Sequence, residues 1–169
     1  FAAPPVGDLR FWPPQQAACW DEVRDAAAFG PICPQVEAGQ GAIREIGDED
    51  CLTLNIWRPA TAQDNLPVLV FIHGGSAISG YTADPVYDGA ALSKSANAIV
   101  VTANYRLDVL GYLQLPALHA GNNGNGSSGG STYTGNYALL DVVQALRFVQ
   151  GNIARFGGNA GNVTLMGQS

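Results

Sequence analysis

The chain has 169 residues, of which 47% are apolar and 13% are charged. Because globular domains usually carry about a quarter charged residues, this balance excludes an intrinsically disordered segment and predicts a folded core. The net charge of −6 disfavours a nucleic acid partner, and the apolar runs are too short to predict a membrane span.

The first thirty or so residues are rich in proline. The prolines are Pro4, Pro5, Pro13, Pro14 and Pro31. Each of them removes a backbone hydrogen-bond donor, which disfavours helices and central strands. This segment is therefore predicted to run over the surface with little regular structure.

The cysteines are Cys19, Cys33 and Cys51, and an odd number leaves at least one thiol outside any intrachain pair. A bridge between Cys33 and Cys51 would stabilise the fold by about 3 kcal/mol through loop closure and would indicate an exported protein. Two buried free thiols are the alternative, since buried cysteine is common in cores. Neither Cys-x-x-Cys nor a His/Cys ligand cluster occurs, so no metal site is predicted.

Three segments are predicted to be strands of one central sheet. Residues 52–57 alternate between apolar and mostly polar side chains, which is typical of a strand with one buried face. Residues 68–72 and 98–103 are almost entirely aliphatic and β-branched, which is typical of strands covered on both faces.

The clearest predicted helix covers residues 137–155. Its apolar residues recur every three or four positions, at Leu139, Val142, Val143, Leu146, Val149 and Ile153. Gly157 and Gly158 follow the end of the helix, and residues 162–166 predict a short strand. The order of strand, helix and strand predicts an α/β fold, with helices on both faces of a mostly parallel sheet.

A stretch at 121–135, rich in Gly, Asn and Ser, precedes this helix. It cannot bury apolar surface and is predicted to be a surface loop. His119 lies beside it and shows no catalytic signal.

The last residues of the chain suggest a nucleophile. Gly167-Gln168-Ser169 matches the first three positions of Gly-x-Ser-x-Gly, the strand-to-helix turn that exposes a serine hydroxyl above a sheet. An ordinary turn is the alternative, because a lone Gly-x-Ser is common.

A second candidate element is His73-Gly74-Gly75-Ser76, which directly follows the buried strand at 68–72. Its glycines allow the backbone to approach a ligand closely, so that N–H groups can stabilise a developing oxyanion. A plain glycine turn beside a packed histidine is the alternative.

Several motifs together make the chain resemble the amino-terminal third of a type-B carboxylesterase, the cholinesterase-like branch of the α/β-hydrolases. They are residues 10–11 (RF), 49–56 (EDCLTLNI), 73–75 (HGG), 104–106 (NYR), 135–141 (GNYALLD), 152–159 (NIARFGGN) and 163–169 (VTLMGQS). The resemblance implies that residues 1–169 are the amino-terminal part of a single domain. The partner implied is the remaining carboxy-terminal part, which would contain the acid and base of the catalytic triad.

The resemblance also implies roles for single residues. Ser169 matches the nucleophile of a serine esterase, and Gly75 and Ser76 match two donors of the oxyanion hole, with His73 and Gly74 supporting the loop. Cys33 and Cys51 match a disulfide, which implies a secreted or periplasmic protein, with a cytoplasmic location as the alternative. Cys19 has no counterpart in the family and is expected to be free and structural. The pairs Arg10–Glu49 and Arg106–Asp141 match internal salt bridges and are expected to be buried. A small carboxylic ester is the implied substrate, and no cofactor is implied.

Two residues depart from the family pattern. Ser76 replaces a usual glycine, and its Cβ restricts the backbone of the loop. Gln168 stands where many members have glutamate, which predicts weaker attraction for cationic esters.

Two alternatives to an esterase remain. The first is an adhesion module without catalysis, although such modules usually lack the serine. The second is an inactive fragment that needs a partner piece.

Overall fold

The computed structural model describes residues 1–39, 42–115 and 135–169. His119 and almost all of the predicted loop at 121–135 lie outside these ranges. Strands β1 (Gln35–Gly39) and β2 (Ala42–Ile46) pair as an antiparallel hairpin, separate from the main sheet.

Among the described residues, the main sheet has four strands in the order β3-β5-β4-β6. The strands are β3 (Leu54–Trp57), β4 (Leu66–Ile72), β5 (Ile99–Ala103) and β6 (Gly158–Gly167). Strands β5, β4 and β6 are parallel, whereas β3 runs antiparallel to β5. The prediction of a mostly parallel sheet in an α/β fold is therefore confirmed.

The described part of the chain contains three α-helices beside the sheet: α1 (Ala90–Ala96), α2 (Asp108–Tyr112) and α3 (Tyr137–Asn152). The predicted helix at 137–155 corresponds to α3 and a following 3-10 turn at Ile153–Phe156. Gly157 ends this turn with a left-handed φ of 83°, a conformation that glycine adopts without steric cost. Gly158 is already the first residue of β6.

The core lies where β4, β5 and α3 meet. Its buried members are Leu66, Val68, Val70, Ile99, Val101, Val149 and Ile153. All of β5 is buried, as predicted for a strand covered on both faces. Strand β4 alternates between buried and half-buried residues from Leu66 to Val70, so one of its faces is covered less completely. A second cluster surrounds Cys33 and Cys51 and includes Tyr105 and Leu107.

Strand β3 differs from its prediction. Its residues are all half-buried, so it does not have one buried and one exposed face. The polar side is covered because the Asn55 amide donates to the hydroxyls of Thr82 and Thr102, at 2.9 and 3.0 Å. The proline-rich segment does follow its prediction, with one 3-10 turn at Gly7–Leu9 and an isolated bridge between Ala2 and Gln16.

The Arg106–Asp141 ion pair is buried, with side-chain exposures of 2% and 0%. Both Arg106 Nε and Nη2 donate to the carboxylate, at 2.8 and 2.7 Å, and the Arg106 backbone N–H donates at 3.1 Å. Burial raises the pKa of the Asp141 carboxyl, and the hydrogen bonds and charge of Arg106 oppose that shift. Arg106 Nη1 also donates to the carbonyl groups of Arg10 and Trp12, at 3.0 and 2.9 Å.

The Arg10–Glu49 pair is present with two short hydrogen bonds, at 2.6 and 2.7 Å, but it is not buried. The side chain of Arg10 is 45% exposed and that of Glu49 27%. The expectation of burial was wrong for this pair because the arm that carries Arg10 runs along the surface.

We expect Arg106→Ala to lower the free energy of unfolding of the complete protein by about 3–5 kcal/mol, because the buried Asp141 carboxylate loses its partner. The matched control is Arg10→Ala, which breaks an exposed pair and should cost much less. Thermal and urea unfolding measure both losses. Equal losses in the two variants would contradict the structural role of the buried pair.

Candidate active site

The candidate site lies at the carboxyl edge of the sheet, where β4 and β6 end side by side. Ile72 is paired with Gly167 in the parallel register. The N–H of Gln168 then donates to the carbonyl of Ile72 at 3.2 Å. The strand register thus brings the glycine loop, residues 73–77, next to the segment that ends in Ser169.

Gly74 packs directly against that segment. A Cβ at Gly74 would lie 2.5 Å from the carbonyl oxygen of Ser169 and 3.1 Å from that of Gln168. A side chain there would collide with backbone, which cannot move aside as a flexible side chain could. Only glycine allows the loop and the candidate nucleophile to sit at this distance.

The glycine loop turns sharply after Gly74. Gly75, Ser76 and Ala77 have φ values of 112°, 56° and 62°. The Gly75 carbonyl accepts hydrogen bonds from the N–H groups of Ile78 and Ser79, each at 3.1 Å. Among the hydrogen bonds between described residues, none is donated by the N–H of Gly75 or Ser76.

Ser76 occupies a backbone conformation that L-residues rarely adopt. A non-glycine residue in the left-handed region costs about 1–2 kcal/mol. The structure accommodates this residue, and the Asp108 N–H donates to the carbonyl of the following Ala77 at 2.8 Å. The restriction expected from the Ser76 Cβ is therefore present, and contacts from the rest of the fold offset it.

His73 is 2% exposed and lies under the glycine loop. Its Nδ1 donates to the Gly74 carbonyl at 2.9 Å, and its ring stacks on Tyr105 with 4.4 Å between centroids. Burial lowers the pKa of His73, and the hydrogen bond to Gly74 opposes this effect. The imidazole is therefore neutral near pH 7, and its Nδ1–H is used in the hydrogen bond to the loop residue Gly74.

Tyr105 lies two residues after the neighbouring strand β5 and contacts the same loop. Its hydroxyl donates to the carbonyl of His73 at 2.8 Å. Burial raises the pKa of Tyr105 to about 12, so the hydroxyl keeps its proton as a donor at neutral pH. The adjacent Asn104 accepts from the Thr82 N–H at 2.9 Å and donates to the Pro31 carbonyl at 3.1 Å.

Gln168 has a partner that sequence patterns did not indicate. The Tyr87 hydroxyl donates to Gln168 Oε1, and the Tyr87 ring packs on Phe71 with 5.1 Å between centroids. Tyr87 lies in a short 3-10 turn, Pro85–Tyr87. The residue before Ser169 is therefore fixed by a neutral hydrogen bond.

The structure joins Cys33 and Cys51 by a disulfide whose two residues are 1% and 0% exposed. Cys19 is exposed and is a free thiol in the described part of the chain. The expectation of a structural role for Cys19 is not supported by packing, because the proline-rich arm leaves it on the surface.

Comparison with known proteins decides the family. The model of the carboxylesterase family matches residues 1–169. The chain belongs to the carboxylesterase family. It is 42% identical to the para-nitrobenzyl esterase of Bacillus subtilis and 44% identical to the fumonisin B1 esterase of Sphingopyxis macrogoltabida. The alignments cover 100% of this chain but 33% and 30% of those proteins, so the chain spans about a third of their length.

Solved carboxylesterase structures show the same fold. A thermophilic para-nitrobenzyl esterase superimposes with a TM-score of 0.84 at 40% identity, over 99% of this chain and 33% of that one. A carboxylesterase of Geobacillus stearothermophilus gives a TM-score of 0.79 at 43% identity, over 98% of this chain and 32% of that one. The four-stranded sheet therefore belongs to an α/β-hydrolase fold.

Two further features are absent from the described ranges. No helix there is long and apolar enough to cross a membrane. Within the same residues, no group of three or more His, Cys, Asp or Glu side chains is arranged to hold a metal ion.

We expect Gly74→Ala to destabilise the complete protein by about 1–3 kcal/mol, because the new methyl group would be forced against the carbonyl of Ser169. Gly151→Ala is the matched control, since Gly151 lies in α3 and an added Cβ would meet no atom within 4 Å apart from its chain neighbours and the backbone of its own helix. That control should stabilise by about 0.5–1 kcal/mol. Thermal unfolding measures both, and a neutral Gly74→Ala would contradict the close approach.

Proposed function

We propose that this chain supplies the nucleophile and the oxyanion hole of a serine carboxylester hydrolase. The observation that carries the proposal is the backbone contact between Gly74 and Ser169, beside two loop N–H groups that donate to no described residue. An attacking hydroxyl and donors for the developing negative charge are the two elements that acyl transfer requires at one point.

In the proposed reaction, Ser169 Oγ attacks the ester carbonyl carbon and its proton passes to a base. The carbonyl oxygen becomes an oxyanion that accepts hydrogen bonds from the N–H groups of Gly75 and Ser76. Such preorganised donors stabilise the oxyanion more than the neutral carbonyl, so they lower the barrier for the chemical step. The alcohol leaves with a proton, and water then attacks the acyl-enzyme to release the acid and regenerate Ser169.

The base and the acid of the triad are proposed to come from sequence beyond Ser169. In α/β-hydrolases the triad follows the chain order Ser, acid, His. His73 is poorly suited to be the base because its Nδ1 is bonded to Gly74 and its ring is stacked on Tyr105. The carboxy-terminal part of the enzyme is thus the proposed partner of this chain.

The proposed substrates are small neutral carboxylic esters, and the mechanism uses no cofactor. The related proteins named above are a para-nitrobenzyl esterase and a fumonisin B1 esterase, which supports ester hydrolysis as the reaction class. A secreted or periplasmic location is supported by the buried Cys33–Cys51 disulfide, because structural disulfides persist in oxidising compartments.

The nucleophile can be tested by labelling the complete protein with an organophosphate and mapping the adduct by mass spectrometry. We expect one phosphoryl adduct, on Ser169. Ser169→Ala should lose the adduct and about 10⁴-fold or more of the hydrolysis rate. Ser95→Ala, which changes an exposed serine of α1, is the matched control and should keep both. An adduct on another serine of the folded protein would overturn the assignment.

The role of Gln168 can be tested with acetylcholine and its neutral carbon isostere, 3,3-dimethylbutyl acetate. We expect the complete enzyme to favour the neutral ester, because an amide replaces a carboxylate beside the nucleophile. Gln168→Glu should shift the ratio of kcat/KM values towards acetylcholine by about fivefold to tenfold, which corresponds to about 1 kcal/mol of charge attraction in a hydrated site. A wild-type preference for the cation would contradict the prediction.

A further inference from the structure

The side chain of Gln35 connects Cys33, a member of the disulfide, to Gly80, which lies beside the glycine loop. Gln35 is the first residue of β1 and is 8% exposed. Its Oε1 accepts from the Gly80 N–H at 2.9 Å, while its Nε2 donates to the Gly80 carbonyl at 3.1 Å. The same Nε2 donates to the Cys33 carbonyl at 3.0 Å. The amide thus binds both polar backbone groups of Gly80 and anchors them to Cys33.

Gly80 in turn lies against the start of the glycine loop. Its φ is 108°, and an added Cβ would meet the Gly74 carbonyl oxygen and would lie 2.5 Å from His73 Nδ1. A Cβ at Gly75 would likewise collide with the carbonyl of Ser79. Ser79 therefore lies against Gly75, and Gly80 lies against Gly74 and His73, so the start of the glycine loop packs directly on residues 79–80.

The other end of this connection is rigid. Cys33 is buried and closed by the disulfide to Cys51. Gly47 also packs on it, because a Cβ there would lie 2.6 Å from the Cys33 carbonyl oxygen. The Cys33 carbonyl, which accepts from Gln35 Nε2, is thus held in place by the disulfide and by the packing of Gly47. Because the Gln35 amide also binds Gly80, it fixes the position of Gly80 relative to Cys33.

From these contacts we propose that Gln35 is a positioning residue for the oxyanion donors Gly75 and Ser76. This inference rests on the proposed function. Its physical basis is that oxyanion stabilisation depends on donor placement, and a misplacement of about 1 Å can cost about a hundredfold in rate. The Gln35 amide touches no reacting atom and acts through Gly80.

The test uses Gln35→Met in the complete enzyme, which keeps the side-chain length and removes all three hydrogen bonds. Gln35→Asn, whose amide is too short to reach both Cys33 and Gly80, is a second variant that keeps a polar group in the site. Ser93→Ala is the control, because it also removes a buried side chain that donates to backbone carbonyls, those of Trp57 and Ala98. Active-site titration with an organophosphate counts the competent sites in each preparation.

We expect kcat per titrated site to fall by about tenfold to a hundredfold in the Gln35 variants, with KM changed less than about twofold, because the loss falls on the transition state. Ser93→Ala should lower the melting temperature without changing kcat per site. A residue with a purely structural role would reduce the number of titrated sites but not the rate of each, and that outcome would overturn the proposal.

Hydrogen exchange of the amides at 74–80 provides a readout that does not depend on catalysis. We expect exchange in this segment to accelerate at least about tenfold in Gln35→Met and to stay unchanged in Ser93→Ala, because only the first releases Gly80. Unchanged exchange in both Gln35 variants would overturn the positioning role. Absence of ester hydrolysis in the wild-type protein would overturn the proposed function instead, and exchange would still decide the role of Gln35.

Discussion

The buried ion pair between Arg106 and Asp141 is the interaction on which the arrangement of this chain depends. Burying two charges is costly unless every hydrogen-bonding position is satisfied. Here Arg106 Nε and Nη2 donate to the Asp141 carboxylate, and Nη1 donates to the carbonyl groups of Arg10 and Trp12. The pair therefore joins α3, the segment after β5 and the proline-rich arm at a single point.

That point determines where the neighbouring residues can lie. Asn104, Tyr105 and Arg106 follow β5 consecutively, and each binds a different part of the chain. Because Arg106 is held by Asp141, Tyr105 is placed to donate to the His73 carbonyl and to stack on its ring. The carboxyl end of β5 thus supports the loop at the carboxyl end of β4. The candidate site follows from parallel strand register and from these side chains.

The glycine loop shows how local strain is maintained by surrounding contacts. Ser76 and Ala77 lie in the left-handed region, which their own side chains disfavour. The loop keeps this conformation because hydrogen bonds from Asp108 and Tyr105 restrict it and because Gly74 packs on Ser169. Strained backbone held by its surroundings is typical of functional sites, where it presents donors to a ligand.

The sequence by itself determined the α/β class, the strands at 68–72 and 98–103 and the helix at 137–155, because periodicity records which face of an element is buried. The motif residues of the candidate site were equally readable, since Gly-x-Ser and His-Gly-Gly are local patterns. Only the tertiary structure decided that Arg10–Glu49 is exposed, and only it revealed that Tyr87 bonds Gln168 and Gln35 bonds Gly80. Those contacts join residues far apart in the chain, and their geometry exists only after the strands have paired in register.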